Sequence, residues 1–442
     1  MKPFPFDCIL SIMKRLAIGI LFWLTSSIHL QAQSLYYPPL TGSTWETLST
    51  QSQGFDPSAI DSLYGFLDRN NSKGFMLLQD GKIVLEKHFG NFTQDSVWYW
   101  ASAGKTLTGF LAGIAQSQGL LELDASSKTY LGNGWSSMTP TQEDSVKVWH
   151  HLTMSTGLDY TVSNLDCTDP TCLQFKAAPG TQWYYHNAPY TLMDGIIEGA
   201  TGQKLNAFFS QQVAYKTGIS GLFVPVGDNN VFFSKMRSMA RFGLLMLGDG
   251  QWNGQNIIGD TSYLRSMTQP SQILNPSYGY LTWLNGQSAY MLPGSTLRIP
   301  GKLLPSAPSD AYAAMGKNGQ IICVIPSQNR VWVRIGDAWS GTGIDLVPNV
   351  FCDRIWSYIN QLGTASIQEI TGATESLYPQ PAEAGQMVNL PANWGNCIRL
   401  FAVDGTVLDE VHALNGRIAA PEKPGFYFCM DERGQRLPLW VR

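Results

Sequence analysis

Three short stretches hold residue types that could work together on an acyl group: Ser102-Ala103-Gly104-Lys105, Tyr185-His186-Asn187 and Lys317-Asn318-Gly319-Gln320. In the first, a serine and a lysine stand three apart, and on a helix such residues share one face. The run that follows, Thr106-Leu107-Thr108-Gly109-Phe110-Leu111-Ala112-Gly113-Ile114, is small and apolar. The pattern predicts a buried helix starting at the serine. The first turn of a helix directs unpaired N–H groups and its positive dipole end toward Ser102 Oγ. Burial disfavours an ammonium, so Lys105 is expected to carry a lowered pKa and to act as base for the hydroxyl. A helix-capping serine beside a solvated lysine would give the same spacing, and Ser11 with Lys14 repeats it.

The elements around these residues set the frame. The chain has 442 residues, 44% hydrophobic and 14% charged, which describes a globular protein of two or three domains. Its formal net charge is −4 and no basic run follows residue 33, so no nucleic-acid partner is expected. Met13 to Gln33 reads as an export signal: Lys14 and Arg15, then apolar Leu16 to Leu24, then small Ala32. Met13 is an alternative start to Met1. Export favours disulfides. Cys167 with Cys172 could staple a loop, and Cys397 could pair with Cys429. No His/Cys cluster has zinc spacing, so no metal and no cofactor are expected.

Pro57 to Arg69 has helical periodicity. Two strand-like runs, 74–79 and 82–88, flank Asp80-Gly81, a strong hairpin signal. From about 102 to 270 the pattern is mostly helical, clearest at Thr191 to Ala200 and Met236 to Leu247. Strand character returns at 278–284, 310–315, 320–325 and 330–335, and a helix over 346–361 closes the domain. Sheet, helices and sheet again predict an α+β domain whose antiparallel sheet receives both chain ends, with an α-helical insert. Short alternating strands after 366 predict a small all-β sandwich. The expected division is 1–33 signal, 34–365 main domain and 366–442 C-terminal module.

The order S-x-x-K, Y-x-N, K-x-G resembles the serine β-lactamase and penicillin-binding protein superfamily. Within it, the class C-like branch with esterases and 6-aminohexanoate-dimer hydrolases is most similar. Val148-Trp149-His150-His151-Leu152 and Ser238-Met239-Ala240-Arg241-Phe242 support the resemblance. Two decoys exist: Lys216-Thr217-Gly218 lies in the helical insert, and Tyr358-Ile359-Asn360 follows the third motif. Lys317-Asn318-Gly319 is preferred because it is expected to open a strand beside the nucleophile.

The resemblance implies an amide or ester hydrolase working through a Ser102 acyl-enzyme. Lys105 and Tyr185 would share base and acid duty. Asn187 would hold Lys105 and a substrate amide oxygen, and the N–H groups of Ser102 and Gln320 would form the oxyanion hole. Lys317 favours a small-molecule or peptide substrate bearing a carboxylate, although Asn318 departs from the usual small residue. Tyr160 and the Cys167/Cys172 loop are expected to wall the pocket. The alternatives are a D-Ala-D-Ala carboxypeptidase or class C-like β-lactamase, and a catalytically silent binding module. Leu377-Tyr378-Pro379-Gln380-Pro381-Ala382, the strands around Asp404-Gly405 and the Val441-Arg442 end resemble a type IX secretion sorting domain. That resemblance implies outer-membrane secretion machinery as a partner and a secreted or cell-surface location.

Overall fold

Asp80 and Gly81 both take positive φ, 51° and 83°, and turn strand β1 (Ser72–Gln79) back into β2 (Lys82–His88). Two such residues in succession match the twist of an antiparallel pair, as the Asp-Gly signal anticipates. The computed structural model describes residues 35–339, 347–363, 382–390, 394, 396–402, 406–432 and 436–442. The expected signal, Ser11/Lys14, Leu377 to Pro381 and Asp404-Gly405 lie outside them. The chain divides into two compact units, Met1–Ser366 and Ile367–Arg442.

In the first unit, Val97–Tyr99 forms β3, Gly221–Val226 β4, Asn229–Lys235 β5, Trp283–Leu284 β6, Tyr312–Gly316 β7, Gln320–Ile325 β8 and Arg330–Gly336 β9. The main sheet runs β2-β1-β9-β8-β7-β6, antiparallel at every pairing. Its N-terminal hairpin is thus joined to C-terminal strands by the β1–β9 ladder, the predicted α+β arrangement. Strands β7 and β8 are buried along their whole length, so helices must cover both faces. These are α1 (Pro57–Arg69), α2 (Gly104–Ser117), α4 (Met236–Leu247) and α5 (Asn349–Ile359), while α3 (Asn187–Thr201) packs on α2 from the insert side. Helix α4 lies so close to the sheet that a Cβ on Gly243 would sit 2.5 Å from Val331 Cγ1.

One element departs from the predicted helical insert. Strands β4 and β5 form a hairpin that pairs with β3. Leu222, Val224 and Val226 alternate with other residues there, but Pro225 and exposed ends weaken the strand signal.

The second unit is all-β. A four-stranded antiparallel sheet orders 407–412, 397–402, 425–431 and 436–441, and a second sheet pairs 387–389 with 417–419. Val388, Ile398, Ile418, Cys429 and Leu439 share its core. The predicted Cys397–Cys429 bridge is not formed. Cys429 lies opposite Leu400 and is buried, while the Cys397 thiol donates to Glu410 Oε1 at 3.0 Å. Cys167 and Cys172 do form a disulfide.

Candidate active site

Trp100 carries the chain from β3 into the site. Its backbone N–H donates to Phe232 O at 2.8 Å and its indole N–H to Ser234 Oγ at 2.7 Å, both on β5. Ala101 then takes φ 47°, a conformation that residues with a Cβ adopt at an energetic cost. Ser102 follows in a single 3-10 turn, Ala101–Ala103, and α2 begins at Gly104. The serine therefore precedes the α-helix instead of heading it, a small correction to the predicted start. Every residue of α2 from Gly104 to Ala115 is buried, as its composition requires.

Lys105 is 3% exposed, and its Nζ donates to Ser102 Oγ at 3.1 Å. Burial draws its pKa down to about 7, against the opposing pull of Asp166 and Asp194. The ammonium lies 3.9 Å from the Tyr190 ring centre and 5.5 Å from that of Tyr185. Tyr185 stacks on Trp283 of β6 at 5.6 Å. Burial pushes its phenol well above the ordinary tyrosine range, and Ser102 offsets part of that rise. Ser102, Lys105 and Tyr185 are thus brought together from the 3-10 turn, helix α2 and the segment that leads into α3.

Asn187 opens α3, but its amide does not hydrogen-bond Lys105. Its Nδ2 donates to Asp166 Oδ1 at 2.7 Å. Asp166 belongs to none of the three motifs, and no spacing in the sequence points to it. His151 is buried, with Nε2 2.9 Å from Ser127 Oγ and Nδ1 2.9 Å from Pro189 O. Burial lowers its pKa to about 4, so it braces α3 as a neutral side chain. Tyr160 stacks on Tyr184 at 4.0 Å, and Lys176 covers it at 4.6 Å. It adjoins Tyr185 through Tyr184 and has no hydrogen bond to Ser102, Lys105 or Tyr185.

The third stretch is the main correction. Lys317-Asn318-Gly319 does not open a strand; it is the turn between β7 and β8. Asn318 and Gly319 take φ 64° and 77°, as an Asn-Gly hairpin turn demands. The backbone pressed against the nucleophile is Gly316, at the end of β7. A Cβ there would lie 2.8 Å from the nitrogens of both Ser102 and Ala103, and 2.5 Å from Trp100 O. Asn318 Nδ2 donates to Tyr99 Oη at 2.7 Å.

Gly319 faces Arg334, and Gln320 clamps Gly336 through Nε2 to its O at 2.7 Å and Oε1 from its N at 3.2 Å. Arg334 is fully buried. It donates to Asn318 O at 2.6 Å, Gly319 O at 3.2 Å and Asn70 O at 2.8 Å, fixing the turn. The Lys317 side chain is exposed. Of the decoys, Lys216-Thr217-Gly218 ends a helix with Gly218 at φ 71°, and Asn360 Nδ2 donates to Ser306 O at the end of α5.

The Beta-lactamase family profile matches residues 72–336, more than half of the chain, and the chain belongs to that family. An uncharacterized protein of Alkalihalophilus pseudofirmus is 23% identical over 295 residues, covering 58% of this chain and 81% of its own. Among solved structures, a candidate 6-aminohexanoate-dimer hydrolase from Bacillus anthracis aligns with TM-score 0.57 at 17% identity, over 76% of this chain and 92% of its own. A candidate beta-lactamase from Bacteroides dorei aligns with TM-score 0.56 at 16% identity, over 70% and 99% respectively. At these identities the structures share the fold.

Proposed function

We propose that this protein is a serine hydrolase that cleaves an amide or ester through a Ser102 acyl-enzyme. The observation that carries this reading is the 3.1 Å contact between Lys105 Nζ and Ser102 Oγ, with the lysine pKa drawn to about 7. At neutral pH a sizeable fraction of Lys105 is then uncharged and can take the hydroxyl proton as Oγ attacks the carbonyl. Tyr185, held as a phenol by burial, is the proton donor to the leaving group, and Lys105 reprotonates it. The oxyanion is met by the Ser102 N–H and by an N–H of the Gly316–Lys317 peptide, in place of the Gln320 N–H. One lost donor of this kind costs roughly 10²–10³ in rate.

The substrate is a small molecule or peptide bearing a carboxylate. Lys317 supports this: it is exposed, directly follows Gly316, and has no ion pair among the described residues. The same feature favours a D-Ala-D-Ala peptide as the second reading. Export rests on Met13 to Gln33, and surface sorting rests on the tail motifs.

A substrate panel tests the reading: a p-nitrophenyl ester, a linear amide with a free carboxylate, its methyl ester, an acyl-D-Ala-D-Ala peptide and a chromogenic cephalosporin. Turnover of the carboxylate-bearing amide, lost in Ser102→Ala and weakened by Lys317→Ala, is expected. Peptide turnover alone would select the carboxypeptidase, and cephalosporin turnover alone the β-lactamase. Folded protein inert to all five would leave the silent binding module.

A further inference from the structure

We propose that Asp166 is a positioning residue that fixes the Asn187 amide with its oxygen turned to serve as acceptor for Lys105. The proposal rests on the serine-hydrolase reading and deepens it.

A carboxylate offers only acceptors, so the 2.7 Å contact from Asn187 to Asp166 Oδ1 must be made by the amide N–H. That sets the orientation of the amide and leaves Oδ1 at its other end. Asn187 Oδ1 is buried and accepts no hydrogen bond from a protein group among the described residues. Such an atom is costly to leave unsatisfied, which implies a donor that arrives during the reaction.

The helix geometry names that donor. Asn187, Tyr190 and Asp194 stand at i, i+3 and i+7 of α3, one face of the helix. Lys105 Nζ packs on that face, 3.9 Å from the Tyr190 ring centre. The groups around the lysine are Ser102 on its own segment, Tyr185 ahead of α3, Tyr190 and Asp194 on α3, and Asp166 from the loop. When Ser102 Oγ attacks, its O–H bond breaks and the proton moves to Lys105 Nζ, making an ammonium with an additional N–H. The Asn187 oxygen receives that ammonium. Without Asp166 the amide is free to flip and present its NH2 to the lysine, which opposes the transfer.

Asp166 also has a place from which to act. It precedes Cys167, whose disulfide to Cys172 closes the loop, and Leu165 O accepts from Ala188 N at 2.9 Å. The loop is therefore closed on itself by the disulfide and tied to the first turn of α3 next to the Asn187 side chain.

The test measures the second-order rate at which a fluorophosphonate labels Ser102, displacing fluoride, across pH 5–9. The proteins are wild type, Asp166→Ala, Asp166→Asn, Asn187→Ala and the Asp166→Ala/Asn187→Ala double variant. Asp166→Ala and Asn187→Ala should each slow labelling by about tenfold or more, and the double variant should be no slower than Asn187→Ala. Asp166→Asn keeps an acceptor for the Asn187 N–H and should stay within about threefold of wild type. Independent, multiplying effects in the double variant would overturn the proposal. So would an Asp166→Asn as slow as Asp166→Ala, which would mean that the charge acts on Lys105 directly. Labelled wild type with an unaffected Asp166→Ala would overturn this inference alone, whereas unlabelled, folded wild type would overturn the serine-hydrolase reading as well.

Discussion

Lys105 is held between opposing influences: burial lowers its proton affinity, while Asp166 and Asp194 raise it. Asp194 is itself buried, which lifts its pKa to about 7. The base form of Lys105 lies above its pKa, so acylation should rise with pH through about 7 and level off above it; the labelling-rate profile checks this. Asp194→Asn removes one of the two carboxylates and should move that midpoint to lower pH. Lys105→Met should lose about 10²–10⁴ in acylation rate, the usual worth of a positioned base. Gly316 makes a second residue-scale prediction. Gly316→Ala would drive a methyl against Ser102 N and Trp100 O, both backbone atoms. Activity should fall at least 10²-fold by loss of the oxyanion geometry, and stability by about 1–3 kcal/mol, read by denaturant titration. Serine, lysine, tyrosine and asparagine were legible as a set because their types and order are informative together. Asp166 was not, since one aspartate before a cysteine carries no spacing rule.

At the scale of elements, the β7–β8 hairpin matters most. Its turn is pinned by Arg334, whose guanidinium bonds the carbonyls of Asn318 and Gly319 within it and ties them to that of Asn70. Gly319→Ala places a Cβ 2.6 Å from Arg334 Nη1 at φ 77°, and should cost about 1–3 kcal/mol, measured as a lowered denaturation midpoint. The triplet Lys317-Asn318-Gly319 was misread because a motif spacing and a turn signal coincide in it. Asn-Gly between two apolar runs is a hairpin turn first, and that reading moves the strand contact back to Gly316. Helices α1 and α4 were legible to the residue, since their apolar stripes are uninterrupted. The β4–β5 hairpin was not, because half of the β4 side chains are exposed and Pro225 interrupts that strand.

For the whole molecule, the joining of the first unit's N-terminal and C-terminal strands in one sheet was legible from element order alone. What the order could not give was the close approach of Gly316 to Ser102, which depends on how β3, β5 and β7 converge across more than two hundred residues of chain. The two units have separate cores. Removal of residues 367–442 should therefore leave the acylation rate of the first unit within about twofold, checked by the same labelling assay. The measurement that bears most directly on the central claim is intact-protein mass spectrometry of wild type and Ser102→Ala after fluorophosphonate treatment and, separately, after penicillin. The account predicts one covalent fluorophosphonate adduct on wild type and none on Ser102→Ala; a penicillin adduct as well would turn the substrate toward cell-wall peptides. Folded wild-type protein that gains no mass from either reagent, or a Ser102→Ala variant that labels equally, would contradict it.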